Sequence, residues 1–376
     1  MAHQLLRKLT LALNVAAAAV AGISAAHAAD PIRIGLFAPI TGDLGAVGVR
    51  FREGAQLFVD QVNAKGGIGG RTVELLVEDD RNSPKEAASI AQKFVATSNL
   101  LLAVGTFTTT ASLSAAPIFT EAKIPQISPS SSNPKFTQAG PYQFRENTRD
   151  DLLAEKHADI VLGKLKAKTV VIPYVQDDFG IFTAEVTKEA IEKRGGKVLL
   201  TEAVPPNSRD FRSLVSKIVD LKPDAIFLPL YYQEGAIFVQ QLRQAGSTIP
   251  IASPDPLSNP KFVELAGKAA EGVLLYTVYF NGDPSKAAFT DAYKAKYERL
   301  PDQWGALAYD SVGIGIAGIE RLVAAGKSVT GEALRDEIAN GPAYNGVTGV
   351  TKYDANREVN KEITLITIRD GQYVLY

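Results

Sequence analysis

The chain of 376 residues sets 40 Lys and Arg against 41 Asp and Glu, with 46% hydrophobic and 22% charged residues. That composition excludes a disordered or collagen-like chain, and a formal charge of -1 supplies no basic field to neutralise a nucleic-acid backbone. The absence of cysteine excludes a disulfide framework, a thiolate metal site and a cysteine nucleophile.

At the start, Arg7 and Lys8 lead into the apolar run Leu9 to Ile23 and the small-x-small triplet Ala26-His27-Ala28. This is the pattern of a signal peptide cut after Ala28. The run is broken by Thr10 and Asn14 and is shorter than the roughly 20 residues a membrane span needs. A cleaved, exported and soluble mature chain is therefore expected, with a formal charge of -3 once Arg7 and Lys8 are lost. Of the three histidines only His157 would remain, in a charged helical stretch that predicts a solvent-facing position. A multi-histidine metal site cannot be built from it. No G-x-S-x-G, G-x-x-x-x-G-K-[ST] or H-E-x-x-H motif occurs, so neither catalysis nor a cofactor is expected.

The 348 residues after Ala28 exceed what one core usually holds, which favours two domains. Residues 32–39 read as a strand, followed by a helix whose face carries Val47, Phe51, Ala55, Phe58 and Val62 and which ends at Gly66-Gly67. Strands at 73–79 and 101–105 flank a helix bearing Ala87, Ile90, Ala91 and Phe94, and a further helix precedes the strand at 124–128. After the polar stretch 145–151 a second series follows: helix 151–166, strand 169–175, helix 181–194, strand 197–204, helix 211–221 and strand 225–230. A helix near 235–245, strands at 249–253 and 272–280, helices near 286–298 and 305–325, and a strand at 363–370 complete the chain. Alternation of this kind predicts an α/β protein of two doubly wound, parallel-sheet lobes.

Ligands of open parallel sheets bind beyond the carboxyl ends of the strands. In the first lobe those ends carry Thr41-Gly42-Asp43, the run Gly105 to Thr110, and Ser128-Pro129-Ser130-Ser131-Ser132-Asn133. Small hydroxyl and glycine loops at helix N-termini let backbone N–H groups and hydroxyls approach a carboxylate without Arg or Lys. In the second lobe the ends carry Asp177-Asp178-Phe179-Gly180, Tyr231-Tyr232 and Asp255, acidic and aromatic groups suited to an ammonium and an apolar edge. An α-amino acid has both ends of that pattern. Taken one at a time, the same residues serve ordinary purposes: Ser, Thr and Asn cap helices, Asp177-Asp178 makes a turn and cap, and Tyr231-Tyr232 packs.

From Ile32 onward the chain resembles the leucine/isoleucine/valine-binding proteins, the branched-chain amino acid branch of the type I periplasmic binding proteins. The resemblance lies in IGLFAPITGDLGAVG, REGAQLFVDQVNAKGGIGGRTVELLVEDDRNSPKEA, VGTFTTTAS, IPQISPSSSNPKFT, DDFG, LPLYYQEGA and ELAGKAAEGVLLYT, in that order. It implies two lobes joined by a three-stranded hinge, lobe one from 29–148 and 278–349 and lobe two from 149–277 and 350–376. It implies a monomer in the periplasm that closes on one amino acid and delivers it to an inner-membrane ABC permease with cytoplasmic ATPases.

Residue by residue, the resemblance puts Thr109 on a hydroxyl that binds the ligand carboxylate. Ser130 and Ser132 fall on the second carboxylate and ammonium loop. Tyr231 falls on a ligand-facing tyrosine, Asp255 on the ammonium-binding acid, and Phe179 on an aromatic that closes over the ligand. Val47 and Trp304 match positions lining the side-chain pocket. Asp255 is one methylene shorter than the usual glutamate, Phe179 lacks a tyrosine hydroxyl, and Val47 replaces a large aromatic, so pocket size and polarity differ. Some relatives carry a disulfide between the segments that here hold Asn82 and Thr108. Relatives of this fold also bind aromatic carboxylates or amide and urea-type ligands, and a sensor role beside a membrane receptor is a further alternative.

Overall fold

The computed structural model describes residues 30–376, so the signal-peptide reading lies outside the described residues. Strand β1 (Ile32–Ala38) is buried along nearly its whole length, as a parallel strand covered on both faces must be. Helix α1 (Gly45–Ala64) turns Val47, Phe51, Ala55, Val59 and Val62 inward at helical spacing. Then come β2 (Val73–Asp79), α2 (Pro84–Val95), β3 (Leu100–Val104), α3 (Thr109–Glu121), β4 (Gln126–Ser128), the single turn α4 (Lys135–Gln138) and β5 (Gln143–Arg145). Ser83 caps α2 from the Glu86 N–H, with Pro84 in the first turn where its missing N–H costs nothing. These five strands form one parallel sheet in the order β2-β1-β3-β4-β5.

The chain then crosses to a second sheet through α5 (Asp150–Ala158), which continues as a π-helical turn over Asp159–Lys164 rather than as the regular helix predicted to 166. There follow β6 (Thr169–Val175), α6 (Asp178–Lys193), β7 (Lys197–Val204), α7 (Arg212–Leu221), β8 (Ala225–Phe227), α8 (Tyr232–Gln244), β9 (Ile251–Ser253), α9 (Pro260–Ala266) and β10 (Leu274–Thr277). A second crossing leads to α10 (Ala287–Tyr297), α11 (Gln303–Ala324), α12 (Gly331–Asn340) and the hairpin β11 (Tyr344–Gly346) and β12 (Gly349–Thr351). Helices α10 and α11 return to the first lobe: Phe289, Tyr293 and Ala306 cluster with Leu57 of α1. At that contact a Cβ on Gly54 would overlap the Gly305 carbonyl, so glycine permits the close helix approach. A third crossing ends in β13 (Thr364–Arg369) and β14 (Gln372–Leu375). The second sheet runs β14-β13-β10-β9-β8-β6-β7, with β13 antiparallel to β10 and to β14 and the other pairs parallel. The helix α12, the β11–β12 hairpin and β14 were not anticipated from the sequence.

The crossings are tied together by buried charge. Glu146 in the first and Lys361 in the third form an ion pair at 2.6 Å, each fully buried. Lys361 Nζ also donates to the hydroxyls of Thr348 (3.0 Å) and Thr351 (2.8 Å), and Thr351 donates to Glu146 (2.7 Å). Beside them Arg145 pairs with Glu358 at 2.6 Å and donates to the carbonyls of Ser131 (2.6 Å) and Asn133 (2.9 Å). Arg145 thereby fixes the serine loop after β4 to the third crossing.

His157 is not solvent-facing. It lies fully buried, stacked on Tyr276 with ring centroids 5.6 Å apart, its ring nitrogens 2.9 Å from Thr187 Oγ1 and 3.2 Å from Tyr276 Oη. The charges around it in sequence suggested an outer face. The inward face of α5 is instead the stripe Asp150, Leu153, Ala154, His157, Ala158, at helical spacing. Burial pushes the imidazole down to about 3, so it is neutral in the fold while the unfolded chain protonates near 6.5. Its contribution is complete above pH 6.5 and falls with decreasing pH towards 3. In chemical denaturation, His157→Gln should therefore be less stable than the wild type at pH 7.5, and the gap should shrink by about 2 kcal/mol by pH 5. A gap independent of pH would contradict the buried neutral ring.

Candidate functional site

Between the lobes lies a narrow cavity of about 20 Å³. Its walls are Phe107, Thr108, Thr109, Ser130, Ser132, Phe179, Tyr231, Asp255, Pro256 and Trp304. Seven of the eight residues proposed from the sequence therefore meet in one place. Val47 is not among the lining residues: it is fully buried in α1, in the apolar cluster that also holds Phe107, Phe179, Tyr231 and Trp304.

Each wall residue except Trp304, which lies in the first turn of α11 and follows α10, sits where a strand end passes into a helix. Thr109 opens α3, capped by the Thr108 hydroxyl, which also donates to Asn82 Oδ1 at 2.6 Å. The serine loop is knitted internally: Ser128 Oγ donates to the Thr106 carbonyl (3.0 Å), Ser130 Oγ to the Phe107 carbonyl (2.6 Å) and Ser131 Oγ to Ser112 (2.8 Å). Gly105, at φ +137, brings the backbone so close to Phe37 that a side chain there would clash. In the second lobe Asp177 caps α6 by accepting the Gly180 N–H at 2.9 Å, the turn-and-cap role expected of it. Phe179 follows in the first turn of that helix, and Tyr231 occupies the N-cap position of α8.

Four aromatic rings, those of Phe107, Phe179, Tyr231 and Trp304, form the apolar wall. Tyr231 lies 5.5 Å from both Phe107 and Phe179, and Trp304 meets Phe107 edge-on at 5.2 Å. The Tyr231 hydroxyl is taken by Asp177 at 2.6 Å, so this residue offers its ring to the cavity and not a free hydroxyl. Phe107 was missed in the sequence because it sits among threonines in an otherwise polar loop.

Asp255 opens a 3-10 turn (Asp255–Leu257) after β9 and is buried. It accepts from Asn147 Nδ2 at 2.9 Å and from Gln303 Nε2 at 3.3 Å. Asn147 belongs to the first crossing, and Gln303 also accepts from Thr277 (2.9 Å) and the Val278 N–H (3.1 Å) at the second. Burial, reinforced by the neighbouring Asp150, pushes the Asp255 carboxyl up to about 7. Asp150, raised to about 6 by burial, is held by Ser132 Oγ at 2.7 Å and Thr183 Oγ1 at 2.5 Å. On this wall negative charge is concentrated in a low-dielectric place; Arg145 acts on Asp150, and among the described residues no cationic side chain pairs with Asp255.

Two donors in the wall have no partner among the described residues: the Thr109 hydroxyl and the Trp304 indole N–H, both on buried side chains. Neither a lysine nor an arginine lines the cavity. The arrangement is a donor edge from the first lobe, an acid on the opposite side and an aromatic wall between them. It can hold a small zwitterion by hydrogen bonds and charge.

Residues 31–372 match the family model described as periplasmic binding protein. The leucine-, isoleucine-, valine-, threonine- and alanine-binding protein of Pseudomonas aeruginosa is 29% identical over 334 residues, covering 88% of this chain and 89% of that protein. The branched-chain amino acid transporter substrate-binding protein of Streptococcus pneumoniae, crystallised with isoleucine, superposes with a TM-score of 0.85 at 30% identity, covering 91% of this chain and 97% of the other. A solute-binding protein of an R. palustris ABC transporter, crystallised with benzoate, gives a TM-score of 0.83 at 21% identity, covering 92% and 95%, a likeness of fold. With its two α/β lobes and the cavity between them, the chain belongs to the periplasmic binding proteins, of the branched-chain amino acid ABC transporter type, which bind ligands and are not enzymes.

Proposed function

We propose that this chain binds one small aliphatic amino acid between its lobes, lobe one being 29–148 with 278–349 and lobe two 149–277 with 350–376. On this reading it is exported to the periplasm with cleavage after Ala28 and acts as a monomer. It hands its ligand to an inner-membrane ABC permease driven by cytoplasmic ATPases. The observation that carries the reading is the opposition, across one cavity, of the unpartnered Thr109 hydroxyl and the Ser130 and Ser132 loop to the buried Asp255 carboxylate.

In this arrangement Thr109, the serine loop and the N-terminus of α3 take the ligand carboxylate. Asp255 takes its ammonium, which gives that carboxylate the charge partner that the protein itself does not supply. The rings of Phe107, Phe179, Tyr231 and Trp304 take the side chain. The names of the Pseudomonas and Streptococcus relatives, with their aliphatic amino acids, support the same class.

The four-ring wall favours a second reading, an aromatic carboxylate, but such a ligand leaves Asp255 without a cation. Mass spectrometry of what the purified protein releases on denaturation separates the two: an aliphatic amino acid is expected, and a benzoate-type acid would favour the rival. Thr109→Ala should weaken amino-acid binding by about 1 to 3 kcal/mol, because backbone donors remain. Unchanged affinity in a calorimetric titration would remove Thr109 from the carboxylate site.

A further inference from the structure

Cross-lobe hydrogen bonds lie beside the cavity, and all of them but the Arg209–Asp43 pair are made by the sequence neighbour of a wall residue. On one rim the Thr110 hydroxyl donates to Asp178 Oδ2 at 2.9 Å, Asn133 Nδ2 donates to the Asp178 carbonyl at 2.7 Å, and Lys135 Nζ lies 3.4 Å from Asp178 Oδ1. On the other the Tyr232 hydroxyl donates to the Asp43 carbonyl at 2.6 Å and accepts the Ala46 N–H at 3.4 Å, while Arg209 pairs with Asp43 at 2.6 Å. Thr110 follows Thr109, Asn133 follows Ser132, Asp178 precedes Phe179 and Tyr232 follows Tyr231. Thr110, Asn133, Lys135, Asp43 and Ala46 extend from the first sheet, and Asp178, Arg209 and Tyr232 from the second.

We propose that Asp178 and Tyr232 are closure latches: positioning residues that set the equilibrium between open and closed lobes without touching the ligand. The proposal rests on the interlobe cavity being the ligand site. None of the latch residues Thr110, Asn133, Asp178 and Tyr232 lines the cavity, yet each is one residue from a side chain that does. Their bonds exist only while the lobes meet, so they add to the closed state the same free energy whatever lies inside. The measured dissociation constant is the intrinsic one divided by the fraction of protein able to bind in the closed form. A lost latch therefore multiplies every ligand's dissociation constant by one common factor. A wall residue such as Phe179 instead alters the ranking of ligands, because its contacts depend on ligand shape.

The test uses Asp178→Ala and Tyr232→Phe, the second removing a single hydroxyl. Because the chain has no cysteine, Gln92→Cys in α2 and Glu189→Cys in α6, both exposed, allow one spin label per lobe. Interlobe distance distributions without ligand should show a smaller closed population in each variant than in the labelled parent. Titrations with isoleucine, leucine and valine should give affinities about 5- to 30-fold weaker, with the same factor for all three within about twofold. Distance distributions identical to the parent, or factors that differ by more than about threefold between ligands, overturn the proposal. If the parent binds none of the three amino acids, the ligand assignment fails, while the distance measurement still decides the latches. An unchanged thermal midpoint in Tyr232→Phe separates lost closure from lost folding.

Discussion

Asp255→Ala should weaken amino-acid binding by roughly 3 kcal/mol or more, a factor above about 100. The carboxylate is buried, held by Asn147 and Gln303, and is the acid that lines the cavity. Removing it leaves a ligand ammonium buried without a counter-charge, which costs far more than the loss of an exposed pair. The same residue makes binding depend on pH. Its carboxyl is raised to about 7 by burial and by Asp150, whereas an ammonium ligand requires the ionised form. Affinity should be greatest above pH 7 and fall as the pH drops, approaching a tenfold loss per unit well below the raised value. Binding near neutrality should release a fraction of a proton, visible as a dependence of the calorimetric heat on the buffer's ionisation enthalpy. In Asp255→Asn that pH dependence should vanish with most of the affinity. Affinity unchanged in Asp255→Ala would remove the ammonium site from this wall.

The second large effect is expected at the crossings. Lys361→Met strands the Glu146 carboxylate in a fully buried position from which its partner, at 2.6 Å, has been removed. Such an uncompensated buried charge costs about 3 to 5 kcal/mol. Glu146 is already pushed up to about 7 by burial, so in the variant it takes up a proton readily, and the loss of stability should be larger at pH 8 than at pH 6. Glu146→Gln combined with Lys361→Met should recover much of the loss, because a buried pair removed together is far less costly than one removed singly. Urea denaturation of the two variants and the wild type at the two pH values measures this. A single variant within 1 kcal/mol of the wild type would show that the pair does not hold the crossings.

The α/β alternation and the loops at the strand ends were legible because both are local. The hydroxyl and glycine run after β3 and the serine run after β4 lie where a parallel sheet delivers its loops, and Thr109, Ser130 and Ser132 do reach one cavity. The long-range partners were not legible. Nothing near Asp255 in sequence marks Asn147 or Gln303 as its donors, and nothing near Glu146 marks Lys361, because these meetings depend on three crossings between two sheets. Local pattern also misled. Charges flanking His157 suggested an exposed ring, while the apolar stripe of Leu153, Ala154 and Ala158 carries it inward. Val47, placed at the pocket by family resemblance, is not among the residues lining the cavity but belongs to the same buried apolar cluster as Phe107, Phe179, Tyr231 and Trp304. Strands predicted over 249–253 and 272–280 shorten to Ile251–Ser253 and Leu274–Thr277, where the backbone turns into the loops that carry Asp255 and meet Gln303.

The central claim is that one zwitterion bridges the two lobes through Thr109 and Asp255. Calorimetric titration of the mature protein, unfolded and refolded to remove carried-over ligand, against the twenty amino acids and a set of aromatic acids and amides tests it most directly. The account predicts tight binding of an aliphatic amino acid, and much weaker binding of the same carboxylic acid without its amino group. Tight binding of non-amino carboxylates or amides, with no amino acid bound, would contradict it.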